Sequence, residues 1–203
     1  MPTLTKDDQR RRVLDVACKL FAQHGTENVT MAEIAATADV ARATVFNYFG
    51  TKRAVVEAIT ETVLDEYRAM LDTAIADGST PTPQLLRQLC GDMAAGIESQ
   101  RRLFRSVFRE IARIQLGLDD GDVAQHANEL VRSRLRSLVE RGQARGELRD
   151  DLNADALADA FHALVNGTIT TWLYQQPSGA LRERLRVAAE VFLTPVEARG
   201  GAR

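Results

Sequence analysis

The stretch from Thr30 to Lys52, TMAEIAATADVARATVFNYFGTK, carries two short helical patterns on either side of a sharp turn. Thr30 is followed three positions later by Glu33, which is the spacing of a capping box at a helix start. Asp39 belongs to the residue types that adopt the left-handed conformation of a tight turn. The pattern therefore predicts a short helix, a turn, and a second helix from about residue 41 to residue 48.

The second predicted helix has two different faces. The spacing of Val40, Val45 and Phe49 predicts an inward, apolar face. The outward face then presents Arg42, Ala43, Thr44, Phe46, Asn47 and Tyr48. A helix, a tight turn and a helix with such side chains form a helix-turn-helix, whose second helix enters the DNA major groove. The alternative is that these side chains only keep an ordinary helical bundle in solution.

Helical periodicity continues along the chain, without an alternating strand pattern or a hairpin signal. A first helix is predicted from Thr5 to His24, because Gly25 is a natural helix stop. A fourth helix is predicted from a cap at Thr51 to about residue 76, before the break DGSTPTP. Five further helices are predicted near residues 84–99, 101–115, 123–145, 154–175 and 180–193. The predicted fold class is all-α.

Composition limits the kinds of partner. With 203 residues, 45% of them hydrophobic, the chain can bury a sizeable core, but its formal net charge is only −2. The first 58 residues carry eight Lys and Arg against seven Asp and Glu. Any DNA contact must therefore come from a local cluster rather than from the field of the whole protein. The run Arg10, Arg11 and Arg12 is such a cluster, although a basic run can also be a solvated helix face.

Other classes of function have little support in the sequence. Two distant cysteines, Cys18 and Cys90, are expected to be buried free thiols. His24, His126 and His162 are scattered, so we expect no metal site and no cofactor, and catalytic motifs are lacking. The sequence shows neither a secretory signal nor an apolar run approaching the ~18 residues that span a bilayer. We therefore expect a cytoplasmic protein that is not an enzyme and has no membrane partner.

Residues 10–59 resemble the amino-terminal domain of the TetR family of bacterial transcriptional regulators. The resemblance is carried by a first helix ending in LF..HG, followed by T...IA..A.V...T.F.YF..K. It implies a three-helix DNA-binding domain, a fourth linking helix, and a helical-bundle domain for ligand binding and dimerisation. On this basis we expect a DNA-binding domain at 1–52, a ligand-binding and dimerisation domain at 53–196, and a disordered tail at 197–203.

The resemblance also implies roles in DNA binding. Thr30, Tyr48 and Lys52 match family positions that contact phosphates, and the arginines of the basic run are expected to add to them. Arg42 and Asn47 are the candidates for reading guanine and adenine. Backbone, methyl or shape contacts are expected from the remaining outward residues, Ala43, Thr44 and Phe46.

Two positions depart from the family pattern. Ala41 stands where the family usually has a Ser or Thr cap for the recognition helix. Asp39 replaces a common glycine and brings a negative charge toward the presumed DNA face. Both departures are expected to affect affinity or operator preference rather than the fold.

A ligand pocket is implied by the resemblance and only weakly marked in the residues. The candidates are apolar residues with a few polar groups: Met93, Ile97, Phe104, Phe108, Ile111, His126, Phe161, Asn166 and Trp172. The same residues could simply fill the core. A stripe of Arg101, Arg105, Arg109 and Arg113 recurs every four residues; it is interpreted as a solvated, ion-paired face, with a site for an anionic effector as the alternative.

The family forms a four-helix dimer interface from its last two long helices. In this chain the candidates are a small-residue stripe, Ala160, Ala163 and Gly167, and an apolar seam, Leu181, Leu185, Ala188 and Phe192. The alternative is that both belong to the core of one protomer, because the pattern alone does not separate the two.

The sequence thus predicts a homodimeric DNA-binding regulator. It is expected to be a repressor that binds a palindromic operator in double-stranded DNA and releases it when a small, largely apolar effector binds. One alternative is a ligand-independent DNA-binding member of the family. Another is a helical small-molecule carrier or enzyme that does not bind DNA.

Overall fold

A computed structural model describes residues 5–115, 122–175 and 178–196. The predicted tail at 197–203 lies outside these ranges. Within them the all-α prediction is confirmed, since the chain forms nine α-helices and no strand. The helices are α1 (Lys6–His24), α2 (Met31–Thr37), α3 (Arg42–Phe49), α4 (Lys52–Ala76), α5 (Thr82–Ser99), α6 (Arg101–Gln115), α7 (Asp122–Ala144), α8 (Ala154–Gln175) and α9 (Leu181–Val196).

The helix ends follow the capping signals of the sequence. At the start of α1, the hydroxyl of Thr5 accepts a hydrogen bond from the Asp8 N–H at 3.1 Å, and the Asp8 carboxylate accepts one from the Thr5 N–H at 3.2 Å. The hydrogen bond from the Thr5 side chain also lowers the pKa of Asp8. At the other end Gly25 has a φ of 81°, and its N–H donates to the Phe21 carbonyl. Local side-chain chemistry thus sets both ends of α1.

Three features differ from the predicted helices. α9 ends at Val196, three residues after the predicted end. α5 begins at Thr82, two residues before the predicted start, and includes Pro83 in its first turn. Proline is tolerated there because the first N–H groups of a helix have no intrahelical acceptor. A 3-10 turn at Thr26–Asn28, which the sequence pattern did not indicate, separates α1 from α2.

The first of two compact units comprises residues 1–63 and 100–120. Its described core is an apolar cluster to which α1, α2, α3, the start of α4 and α6 all contribute. Helices of seven and eight residues are marginal in water, so α2 and α3 depend on this burial. The principal core residues are Val13, Ala17, Phe21, Ile34, Ala35, Val45, Phe49, Val55, Ile59, Leu103 and Val107.

The second unit comprises residues 64–99 and 121–203. α5 packs on α9, α7 on α8, and α8 on α9. The rings of Phe161 and Phe192 lie 5.2 Å apart between centroids and join α8 to α9. Its largest fully buried side chains include Leu71, Leu86, Leu135, Leu138, Ile169, Leu173, Leu181 and Leu185.

Arg141 of α7 holds the carboxyl end of α4. Its guanidinium donates to the carbonyls of Ala74, Ile75 and Asp77 at 2.8 to 3.0 Å. The last carbonyls of a helix lack intrahelical donors and carry the negative end of the helix dipole. A half-buried cation therefore faces three acceptors that the chain itself leaves open, and they share the two N–H groups of one guanidinium nitrogen.

We expect Arg141→Met to lower the free energy of unfolding by about 2 to 3 kcal/mol, because it removes charge-assisted hydrogen bonds in a partly buried position. Urea unfolding followed by circular dichroism measures this loss. The matched control is Arg136→Met on the same helix, where the exposed guanidinium pairs with Glu140 and Asp155 at the surface. Equal effects of the two substitutions would contradict a capping role for Arg141.

Candidate nucleic-acid interface

The turn between α2 and α3 has the predicted left-handed residue. Asp39 has a φ of 54°, the only positive φ outside glycine in the described part of the chain. The Asp39 N–H donates to the Ala36 carbonyl and the Val40 N–H to the Ala35 carbonyl, which closes the turn within two residues of α3. The capping box at Thr30 and Glu33 is also confirmed. Sequence-encoded caps and a tight turn thus fix where α3 begins.

α3 presents the face that the sequence predicted. Val45 and Phe49 are buried in the core of the first unit, and Val40 packs against it. Thr44 and Tyr48 are half-buried. The remaining predicted base-reading residues, Arg42, Ala43, Phe46 and Asn47, are exposed.

The Arg42 guanidinium lies over the ring of Phe46, one helical turn away, at 5.5 Å from the ring centroid. A cation–π contact at an exposed site contributes about 0.5 to 1 kcal/mol. A bidentate pair with guanine contributes about 1 to 3 kcal/mol of discrimination against the wrong base. The contact with Phe46 is therefore weak enough for the Arg42 guanidinium to leave the ring for a stronger partner.

The two hydroxyl groups among the predicted phosphate donors already have partners within the protein. The Tyr48 hydroxyl donates to Oε1 of Gln9 at 3.0 Å, and the Thr30 hydroxyl donates to Oε2 of Glu33 at 2.8 Å. The backbone N–H of Thr30 also donates to Glu33, which is the main cause of the lowered pKa of that carboxyl. Each hydroxyl has one hydrogen, so a bond to phosphate has to replace the internal bond.

Lys52 stands at the first position of α4, and its half-buried side chain turns toward the 3-10 turn. Its ammonium group donates to the Thr26 carbonyl at 2.6 Å and to the Val29 carbonyl at 2.9 Å. An ammonium has three N–H donors, so one remains for a phosphate. Lys52 therefore ties the start of α4 to the segment that leads into α2, a role that sequence spacing did not indicate.

Lys52→Met is expected to destabilise the free protein by about 1 to 3 kcal/mol, because two partly buried carbonyls lose a charged donor. Thermal unfolding in the absence of DNA measures this effect. Lys19→Met, at an exposed position of α1, removes the same charge and is the control. If Lys52→Met left the midpoint of unfolding unchanged, Lys52 would act only on DNA.

The basic run at the start of α1 flanks the helix-turn-helix. All three arginines are exposed. The Arg10 guanidinium lies 5.2 Å from the centroid of the Phe49 ring at the end of α3, and the Arg12 guanidinium lies 3.9 Å from the Asp39 carboxylate. Arg12 thereby offsets the negative charge that Asp39 brings to the turn. Such an exposed ion pair is weak enough for Arg12 to exchange Asp39 for a phosphate.

The predicted pocket residues are divided between the two units. Phe104, Phe108 and Ile111 belong to the first unit, where Phe104 and Ile111 pack against its core. In the second unit Ile97, Phe161 and Trp172 are buried, while Met93 and Asn166 are half-buried. The indole N–H of Trp172 donates to the Gly179 carbonyl at 3.1 Å. The side chain of His126 lies outside the described residues.

The predicted dimer residues fall into two groups. Ala160, Ala163 and Gly167 form an exposed stripe on α8. The seam on α9 was predicted wrongly, since its residues face the core of their own protomer. Their exposed fractions are 0% for Leu181, 0% for Leu185, 7% for Ala188 and 8% for Phe192. The outward apolar residues of α9 are instead Val187 and Val191, which are 46% and 64% exposed.

The two cysteines and His162 are partly or fully buried. Burial raises the pKa of the Cys90 thiol to about 12, and Cys18 is half-buried. Burial lowers the pKa of His162, whose Nε2 lies 2.8 Å from the Asn166 amide nitrogen. Within the described ranges, no three His, Cys, Asp or Glu side chains are arranged to hold a metal ion. None of the helices described is long and apolar enough to cross a membrane.

Comparison with known sequences agrees with this geometry. Residues 13–59 match the family described as "Bacterial regulatory proteins, tetR family", and residues 121–188 match "Tetracyclin repressor-like, C-terminal domain". The chain is 33% identical over 112 residues to "Probable HTH-type transcriptional regulator YttP" of Bacillus subtilis, covering 55% of this chain and 52% of YttP. It is 30% identical over 104 residues to the transcriptional regulator BetI of Brucella canis, covering 51% and 52%. The chain thus spans about half the length of these relatives.

Solved structures share the fold over almost the whole chain. SmeT, the repressor of a Stenotrophomonas maltophilia multidrug efflux pump, is 22% identical with a TM-score of 0.74, covering 98% of this chain and 93% of SmeT. The repressor FadR of Thermus thermophilus is 23% identical with a TM-score of 0.67, covering 96% and 98%. The short helices α2 and α3, with their shared turn, define a helix-turn-helix protein. The two family matches then place the chain in the TetR family of bacterial regulatory proteins.

Proposed function

We propose that this protein is a transcriptional repressor that binds a palindromic operator as a homodimer and releases it on binding a small effector. The observation that carries the proposal is the outward face of α3. It exposes Arg42 and Asn47 on a helix whose opposite side is locked into a core by Val45 and Phe49. A recognition helix needs an inner face that is packed rigidly and an outer face whose polar side chains are exposed to DNA.

Binding would use local charge, because the chain is slightly acidic overall. Arg10, Arg11 and Arg12 lie on α1, and contacts from Arg10 and Arg12 reach the end of α3 and the turn before it. We propose that these arginines contact phosphates on both sides of the groove that α3 enters, with Lys52 adding its remaining donor. Phosphate contacts of this kind set register, whereas Arg42 and Asn47 read bases.

The test of this assignment is selection of bound duplexes from a random pool, followed by titrations of the selected site. Asn47→Ala and Arg42→Ala are each expected to relax preference at one base pair per half-site, by about 1 to 3 kcal/mol. Arg11→Gln is expected to weaken all duplexes about equally and to lower the salt slope by about one per protomer. Recovery of no preferred sequence, or unchanged preference in both α3 variants, would overturn the assignment.

The same titrations separate the alternatives. Arg132→Gln, at an exposed position of α7 in the second unit, is the charge-matched control and should leave the salt slope unchanged. Specific binding that no small molecule weakens would favour a ligand-independent regulator. Absence of duplex binding even at low salt would favour a carrier or enzyme.

We propose that the dimer surface combines the small-residue stripe of α8 with the outward valines of α9. These helices pack on each other within the second unit. Val187 and Val191 are two of the four exposed large apolar residues identified in the described chain. A small-residue stripe permits close approach of a symmetric copy, and the valines supply apolar area beside it.

Gly167→Arg is expected to convert the dimer into a monomer without unfolding the protomer. A Cβ built at Gly167 meets no atom within 4 Å, so the protomer has room for the new side chain. The matched control is Gly96→Arg, at an exposed helical glycine of α5 with the same open surroundings. Sedimentation velocity reports the mass of each variant. A dimer that survives Gly167→Arg would place the interface elsewhere.

We propose a small, largely apolar effector, by analogy with the ligands of structural neighbours. SmeT has been solved with triclosan and Thermus thermophilus FadR with lauroyl-CoA. In the second unit of this chain, a cavity of about 260 Å³ between the end of α4 and α5 is lined by Met70, Ala74, Leu85 and Leu89, with Asp77 and Asp92 among its polar neighbours. An effector that binds one arrangement of α4 more tightly than another would shift the population toward it. Because α4 supplies residues to both units, this shift would reach the DNA-binding unit.

A further inference from the structure

The first unit contains a polar cleft that neither the recognition helix nor the proposed effector cavity uses. It has a volume of about 710 Å³, within the range of small-molecule sites. The end of α1, the 3-10 turn and one face of α6 surround it. Its described lining residues are His24, Glu27, Asn28, Arg102, Arg105, Ser106 and Arg109.

The charge of this cleft is strongly one-sided. Arg102, Arg105 and Arg109 recur at three- and four-residue spacing, so one face of α6 carries all three guanidinium groups. Glu27 is the single carboxylate among the described lining residues. One carboxylate cannot neutralise three guanidinium groups, so the lining favours an anion with more than one negative charge.

Existing contacts orient two sides of the cleft. The Arg102 guanidinium donates to the Gln23 carbonyl near the end of α1. The hydroxyls of Ser106 and Thr26 lie 2.6 Å apart in a buried hydrogen bond that joins α6 to the 3-10 turn. The pKa of Glu27 is lowered, first by a hydrogen bond from its own backbone and to a smaller degree by Arg105 and Arg109. The arginines therefore project from a wall that these hydrogen bonds hold in place, and Arg105 and Arg109 already attract the Glu27 carboxylate.

We propose that this cleft binds a small molecule with a diphosphate group. Guanidinium groups bind phosphate oxygens in bidentate fashion, and Arg105 and Arg109 lie one turn apart on the same face of α6, about 6 Å along the helix axis, so one long side chain is available for each of two linked phosphates. The concave shape distinguishes it from a convex surface that follows a DNA backbone. Arg10 and His24 are also about 21 Å apart along α1, so the cleft lies far from the basic run that flanks α3.

Isothermal titration of the full-length protein with inorganic diphosphate tests the site without requiring DNA. Arg105→Gln/Arg109→Gln is expected to weaken binding at least about tenfold, because two charge-assisted contacts are lost. Arg132→Gln/Arg136→Gln, with the same spacing and charge change at two exposed, ion-paired positions of α7, is the matched control and should stay within about twofold of the unmodified protein. Glu27→Gln removes the competing carboxylate and is expected to tighten binding, an effect that misfolding does not produce.

Several outcomes overturn the proposal. One is absence of diphosphate binding to the unmodified protein, and another is equal weakening by the two arginine pairs, which would indicate general electrostatic attraction. A third is unchanged diphosphate affinity in Arg105→Gln/Arg109→Gln together with a smaller salt slope for duplex DNA. That result would assign the cleft to the DNA backbone. Failure of sequence-specific DNA binding would refute the proposed regulator but would not affect the diphosphate result.

Discussion

The architecture of the DNA-facing side depends on the burial of two helices that are too short to persist alone. α2 has seven residues and α3 has eight, whereas isolated helices below about 12 to 15 residues are marginal in water. Ile34, Val45 and Phe49 therefore do more than fill space beside Phe21. Their packing gives the polar residues on the opposite side of α3 a fixed direction, and a fixed direction is what base recognition needs.

Much of the fold could be predicted because its signals are local. The capping box at Thr30, the glycine stop at Gly25 and the left-handed Asp39 each depend on a few neighbouring residues, and each is found in the structure. Helical periodicity likewise defined most of the longer helices to within a residue or two. Of the candidate site, the exposed face of α3 could be predicted for the same reason. Alternation around a helix identifies an outward side once the inward one is known.

Interactions between distant residues could not be predicted. Tyr48 and Gln9 are 39 residues apart, Lys52 and Thr26 are 26 apart, and Thr26 and Ser106 are 80 apart. No local pattern connects such pairs. The apolar seam of α9 shows a related limit, because periodicity identifies a buried face without saying which chain buries it. The structure gives that face to the protomer core, and the dimer proposal moves to Val187 and Val191 as a result.

The internal hydrogen bonds of Thr30, Tyr48 and Lys52 affect how much each of these residues can add to the affinity for DNA. In the proposed complex, Thr30 and Tyr48 would each exchange an internal hydrogen bond for one to a phosphate, so the net gain from either would be small. Lys52 would keep its hydrogen bonds to two carbonyls and offer only its third N–H donor to a phosphate. The salt-dependent part of the affinity of the proposed complex would rest mainly on the arginines of α1, because the contacts of Arg10 with Phe49 and of Arg12 with Asp39 are weak. Operator preference in this proposed complex would then come from Arg42 and Asn47, which have no internal hydrogen bond of this kind, among the described residues, to exchange.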